Sequence, residues 1–337
     1  MAHEEQTLLR DSLSKSGAIW RITRKLAPVE GSKLGVCTTG KPFSAESSDW
    51  SQQGLASSSL QKTAAGTSLC QRYDEELKSR WPWVKQKFHK KMQSPVDINT
   101  DQCTFVRLPP IYFIQYWEAE GDMAILENTG HTVKLKLQPK TPIRKRPMIS
   151  GGPAQGIYVF DSMHMHWGET DNNGSEHLLD GQPFSCEMHI VHYNLKYKTL
   201  ENALNYFDGL LVTGFFGDAV ELDNPELQEF IDDLKQIHDC NKSITVPIKP
   251  IFTFIRDCVT DQNYYCYPGS LTTPDFQECA IWIVFSKPFE ISSSQLEEFR
   301  ELKSSEGGKL INKNDRELQD FNDRPILFSV GEIKSIE

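Results

Sequence analysis

Nowhere do the 337 residues hold the roughly 18–20 uninterrupted apolar positions that cross a bilayer, so no membrane span is expected. A basic excess is missing too. There are 36 Lys+Arg against 46 Asp+Glu, a formal charge of −10, and no overall field draws the chain to nucleic acid or anionic lipid. The first thirty residues lack an apolar core of signal-peptide length: Leu8-Leu9 and Ala18-Ile19-Trp20 are brief and separated by Asp11, Ser12, Ser14 and Lys15, so secretion is not expected. Eight cysteines, at 37, 70, 103, 186, 240, 258, 266 and 279, form no Cys-x-x-Cys and no small-domain framework. They read as reduced thiols, about half of them core filler, in a reducing compartment. The cytoplasm is the expected location, with the mitochondrion as the alternative.

What is present is globular in composition: 38% hydrophobic, 10% aromatic and 24% charged residues exclude a collagen-like or mostly disordered chain. The two parts differ. Residues 1–70 carry 12 Ser and little apolar periodicity, with 8 Lys+Arg against 6 Asp+Glu, so the acidic excess lies beyond them. We expect 1–70 to be a disordered Ser-rich extension, since its small polar residues bury too little to offset ordering entropy. A transit peptide is the alternative, weakened by Glu4, Glu5 and Asp11. Residues 71–337 are expected to form one domain.

In that domain short apolar runs at 112–117, 209–217, 281–285 and 326–330 are separated by turn residues and read as strands. Residues 132–137 alternate, with Val133, Leu135 and Leu137 on one face and Thr132, Lys134 and Lys136 on the other. Two helices are expected. One spans 225–238, opened by Pro225 after Asn224 and striped by Leu227, Phe230, Ile231, Leu234 and Ile237. The other spans 295–303, with Ser294 and Glu297 at capping-box spacing and Leu296, Phe299 and Leu302 facing inward. The fold class is mainly β with peripheral helices (α+β), a single domain around a large, mostly antiparallel sheet.

Met163-His164-Met165-His166-Trp167 is strand-like, and period-2 alternation puts both imidazoles on one face, about 7 Å apart along the backbone. In the second such segment, Glu187, His189 and Val191 share a face and His192 takes the other. Three imidazoles leave zinc one open position, which distinguishes a catalytic site from the closed, mostly Cys-rich structural sites. His-x-His alone is weak, but His-Glu-x-x-His, Gly-x-Ser-x-Gly and the phosphate-loop motif are all missing.

With Gln93-Ser94-Pro95-Val96-Asp97-Ile98, Asn128-Thr129-Gly130-His131, Gly174-Ser175-Glu176-His177 and Tyr267-Pro268-Gly269-Ser270-Leu271-Thr272-Thr273-Pro274 added, residues 85–333 closely resemble an α-class carbonic anhydrase. The resemblance implies Zn2+ at the bottom of a conical cleft and reversible hydration of carbon dioxide to bicarbonate and a proton by a hydroxide on the metal. It implies His164, His166 and His189 as metal ligands. Thr272 would accept a hydrogen bond from the hydroxide and pass its own proton to Glu176. Val191, Val212, Leu271 and Trp282 would line an apolar carbon dioxide pocket, with Thr273 beside it. Glu187 would accept the other ring N–H of His189, and the backbone of Asn322 that of His166. His131 would carry protons to solvent, while His177 and His192 would be structural. The partner is a small-molecule substrate, and a monomer is expected.

The chain departs from the pattern in places. Ser162 stands where the family has a Gln supporting the first zinc His. Asp275 replaces the second of two prolines, so the loop carrying Thr272 should run trans or repack, a cis bond before a non-proline costing about 3–4 kcal/mol. Only Trp81-Pro82-Trp83 remains of the aromatic entry segment. Phe276 occupies the loop position of the cysteine that bridges secreted members. Two other readings are kept open: a catalytically weak carbonic anhydrase-like binding module, whose signature would be a broken ligand set, and a zinc hydrolase acting on a larger ester.

Overall fold

The computed structural model describes residues 92–117, 122–248, 252–322 and 324–331, all within one unit that spans 65–337. The Ser-rich extension 1–70 and Trp81-Pro82-Trp83 lie outside the described residues. The strands are β1 (Asp97–Ile98), β2 (Thr104–Val106), β3 (Tyr112–Ile114), β4 (Met123–Asn128), β5 (Val133–Leu137), β6 (Met148–Ser150) and β7 (Ile157–Trp167). They continue as β8 (Leu178–Leu179), β9 (Cys186–Asn194), β10 (Leu210–Val220), β11 (Ser243–Pro247), β12 (Tyr264–Gly269), β13 (Ala280–Ser292) and β14 (Leu327–Ser329).

Ten strands join in the order β11-β4-β5-β7-β9-β10-β13-β12-β14-β2, β3 and β6 extend the sheet beside β7, and β1 pairs with β8 separately. Within the large sheet only β10–β13 and β14–β2 run parallel, so it is mixed and mostly antiparallel. Its central strands β9 and β10 are buried along nearly their whole length, which explains why 209–217 reads as a near-continuous apolar run. Strand β5 shows the expected alternation, with Val133, Leu135 and Leu137 buried.

Boundaries shift for local reasons. The run expected at 112–117 ends at Ile114 because Gln115 turns left-handed, φ 59°. The helix expected over 225–238 is α-helical only over Gln228–Leu234. Tighter i to i+3 bonds, such as Leu227 N–H to Asn224 C=O and Ile237 N–H to Leu234 C=O, take over at both ends. All five stripe residues are nevertheless buried. The last helix is Ser293–Arg300, and its capping box is Ser292 with Gln295, not Ser294 with Glu297. β13 runs extended up to Ser292, so the first hydroxyl of the Ser292-Ser293-Ser294 run meets the helix start, and Ser294 Oγ instead donates to Asp223. Leu296, Phe299 and Leu302 face the core as expected.

Candidate metal centre and its supports

His164 and His189 lie directly opposite each other in the β7–β9 ladder, and His166 lies opposite Glu187. Directly opposed residues share a face with their Cβ atoms about 5 Å apart. The ladder therefore converges the three rings, whose centroids are 5.2 Å (His164–His189), 5.0 Å (His164–His166) and 4.6 Å (His166–His189) apart. One nitrogen from each ring falls within 4.8 Å of the others. Those buried nitrogens, Nε2 of His164, Nε2 of His166 and Nδ1 of His189, have no hydrogen-bond partner.

Outer contacts set two of the tautomers. His166 Nδ1 faces the Asn314 carbonyl at 3.0 Å, and His189 Nε2 faces Glu187 Oε1 at 2.7 Å. An imidazole nitrogen facing an acceptor carries the proton, which leaves His166 Nε2 and His189 Nδ1 with lone pairs aimed at the common point. Burial, and for His164 its imidazole neighbours next, pushes the proton affinity of all three rings below the usual range. Neutral imidazoles with unpartnered buried lone pairs fit a metal ion: each unsatisfied acceptor costs about 1–3 kcal/mol, which coordination would relieve.

His164 differs. Among the described residues its ring makes no hydrogen bond, and Ser162 does not reach it. The substitution of Ser for the family Gln thus leaves the tautomer of one ligand without a protein partner.

Glu187 accepts from His189, from His177 Nδ1 at 2.7 Å and from the His177 backbone N–H at 2.8 Å. Burial opposes its charge, but His177 and His189 outweigh that and hold the carboxyl well below the usual range. Gly214 is opposite His189 on β10, and a Cβ there would come within 3.0 Å of Glu187 Oε1. The glycine makes room for the carboxylate. His177 continues through Nε2 to the Tyr267 hydroxyl at 2.6 Å. His192 is buried on the other face, hydrogen bonded to Tyr116 and to the Leu211 carbonyl, and burial lowers its pKa to about 3.

Glu176 sits beneath the triad. Its Oε1 is 3.3 Å from His166 Nδ1 and accepts the Arg316 backbone N–H at 2.9 Å. Its Oε2 is 3.7 Å from His189 Nδ1, buried and without a hydrogen-bond partner. Burial raises its pKa to about 7, while His189 and the nearby Thr272 hydroxyl act in the opposite direction. Gly174 permits the turn that delivers it, since a Cβ there would collide with the Ser185 carbonyl at 1.9 Å. Thr272 is buried; Thr273 beside it is exposed and Leu271 half-buried.

Val191, Val212 and Trp282 occupy one register row across β9, β10 and β13, next to the row of His189. Trp282 stands edge-on to the His189 ring at 4.8 Å, and its Nε1–H donates to the Ser270 carbonyl at 2.9 Å, tying this apolar wall to the loop that carries Thr272. The only cis peptide among the described residues is Ser94–Pro95, so the Pro274–Asp275 bond is trans as expected, with Asp275 (φ 78°) and Phe276 (φ 43°) both left-handed.

Asn322 does not support His166. Asn-Asp-Arg occurs twice, at 314–316 and 322–324, and it is the first copy that faces the triad. The Asn314 side chain anchors that copy by donating to the Met165 and His131 carbonyls and accepting from Trp167 N–H. The Asn322 amide donates to the Asp320 carbonyl instead. His131 is exposed on the turn before β5. Arg316 also escaped sequence reading. Its guanidinium lies 3.7 Å from the Phe276 ring centroid and donates to Ser94 C=O and Gln93 Oε1, while Gln93 Nε2 donates to Phe276 C=O at 3.1 Å. The Gln93-Ser94 segment, the 314–316 strap and the 270–279 loop are thereby locked together.

A large sheet whose central strands bring three buried imidazoles together offers a donor set that could hold a metal ion. A sequence profile of eukaryotic-type carbonic anhydrases matches residues 76–330, and the chain belongs to that family. It is 34% identical to human (Homo sapiens) carbonic anhydrase 3 over 218 residues, 63% of this chain and 78% of the relative, and 33% identical to the mouse (Mus musculus) protein over the same length. The chain is an enzyme, a lyase. No helix among the described residues is long and apolar enough to cross a membrane.

Proposed function

We propose that His164, His166 and His189 hold zinc and that the cleft above them interconverts carbon dioxide and bicarbonate. As a carbonic anhydrase the chain catalyses this hydration. The observation that carries it is the set of three buried ring nitrogens, unpartnered and convergent. When bound, zinc supplies a Lewis acid that acidifies a coordinated water, the effect for which carbonic anhydrase is the best-known example.

The chain's own groups do the rest. Glu187 and the Asn314 carbonyl hold the two ring protons that keep His189 and His166 aimed inward. Thr272, next to the Glu176 carboxylate, gives its hydroxyl proton toward that acceptor and keeps its own lone pair toward the nucleophile, which fixes the direction of attack. Val191, Val212, Leu271 and Trp282 offer carbon dioxide a wall without competing hydrogen bonds, Thr273 lies at its rim, and His131 relays protons to solvent. A cytoplasmic setting is supported by the six described cysteines, all free. The test is stopped-flow carbon dioxide hydration on the purified protein and on His189→Ala. We expect fast turnover that vanishes in the variant; equal rates in both would refute the assignment.

A further inference from the structure

One register row crosses the sheet through Glu127, Lys134, His164 and His189, and the neighbouring row runs through Lys136, Ser162, Val191, Val212 and Trp282. The triad is therefore flanked by two unlike walls. On the β10–β13 side the surface is apolar, and on the β5 side it carries two ammonium groups. Lys134 is directly opposite the ligand His164, on the same face and half-buried.

A cation beside a cation site opposes metal binding and costs stability, so its placement calls for a gain elsewhere. The lysines Lys196, Lys235 and Lys303 each meet an aspartate oxygen at 2.7–2.9 Å. Lys134 does not. Burial and then Lys136 lower its proton affinity, against the pull of its acidic neighbours Asp161 at the β7 bulge and Glu127 across β4. Among the described residues neither carboxylate comes within ion-pair distance, and the ammonium has no hydrogen-bond partner, so its donors remain available.

We propose that Lys134 binds the anionic member of the reaction, bicarbonate, and with it other small monovalent anions, beside the metal. This rests on the triad being the metal centre. Carbon dioxide, apolar and uncharged, gains nothing from the ammonium and settles against the opposite wall. Bicarbonate formed in the cleft carries a charge that Lys134 attracts at short range, in a chain whose net charge of −10 otherwise repels anions. Lys134 thus adds an attraction for bicarbonate on the β5 side of the triad and raises the affinity for other small anions there.

The probe is thiocyanate, compared with 1,2,4-triazole, a metal ligand that is neutral at pH 8. Both are titrated at constant ionic strength into zinc-loaded wild type, Lys134→Gln and Lys134→Arg, by inhibition of hydration and by calorimetry. We expect Lys134→Gln to weaken thiocyanate about 3- to 10-fold, Lys134→Arg to restore it, and triazole to change less than 2-fold. Thiocyanate binding that is unchanged, or weakening of both ligands alike, would overturn the proposal and leave the metal centre standing. A wild-type protein with neither stoichiometric zinc nor hydration would overturn both readings.

Discussion

The centre is built from two kinds of structure, and they behave differently. Its ligands ride on the paired strands β7 and β9, where the ladder register places His164 opposite His189 and leaves little freedom in how the rings converge. Glu176, Thr272 and Arg316 come from connections, held by Gln93, Ser94 and Asn314 through hydrogen bonds between residues up to 223 positions apart. The metal ligands belong to the sheet, with one carbonyl from the 314–316 strap behind His166, and orientation of the reacting groups belongs to the loops. The departures follow the same division. Ser162 is on β7 and removes a partner from one ligand, whereas Asp275 and Phe276 reshape the Thr272 loop and leave the ligands alone.

The largest effect is expected on the sheet side: His189→Ala should lose stoichiometric zinc and at least about 1000-fold in hydration, read by metal analysis and stopped flow. On the loop side Thr272→Val should keep its zinc while turnover falls about 100-fold, and a loss of metal in this variant would merge the two halves. Asn314→Ala loosens the strap that carries the carbonyl to His166 and should weaken zinc about 10-fold in a competition with chelators. Asn322→Ala in the second Asn-Asp-Arg copy should leave the zinc affinity unchanged.

A smaller effect is expected at the cleft mouth. His131→Ala should slow turnover several-fold in weak buffer only, with rescue by added imidazole; no rescue would remove the relay from His131. The mildest change is a matter of stability. His192 is neutral in the fold, its pKa lowered to about 3, so its contribution is complete above pH 6.5 and is lost as the pH falls through that interval. Urea melts of the wild type should therefore move to lower midpoints from pH 6.5 downward, more steeply than those of His192→Gln.

The same division explains what could be read in advance. Period-2 patterning made the strands, the shared face of His164 and His166 and the alternation of Val133–Leu137 legible, because side-chain direction in a strand follows position alone. Loop partners do not follow position. Asn314 and Asn322 head identical tripeptides, and only the chain path past Trp167 decides which one meets His166. Arg316 acts on Glu176 through its backbone N–H, a group every residue but proline has, so its side chain carried no signal. Ser292 and Ser294 are chemically equal as caps, and the end of β13 chose between them.

The zinc K-edge absorption spectrum of the purified protein reads the metal centre directly. One zinc per chain is expected, with three imidazole nitrogens and one oxygen at about 2.0–2.1 Å. Sulfur at about 2.3 Å, or a protein that retains no zinc, would contradict it.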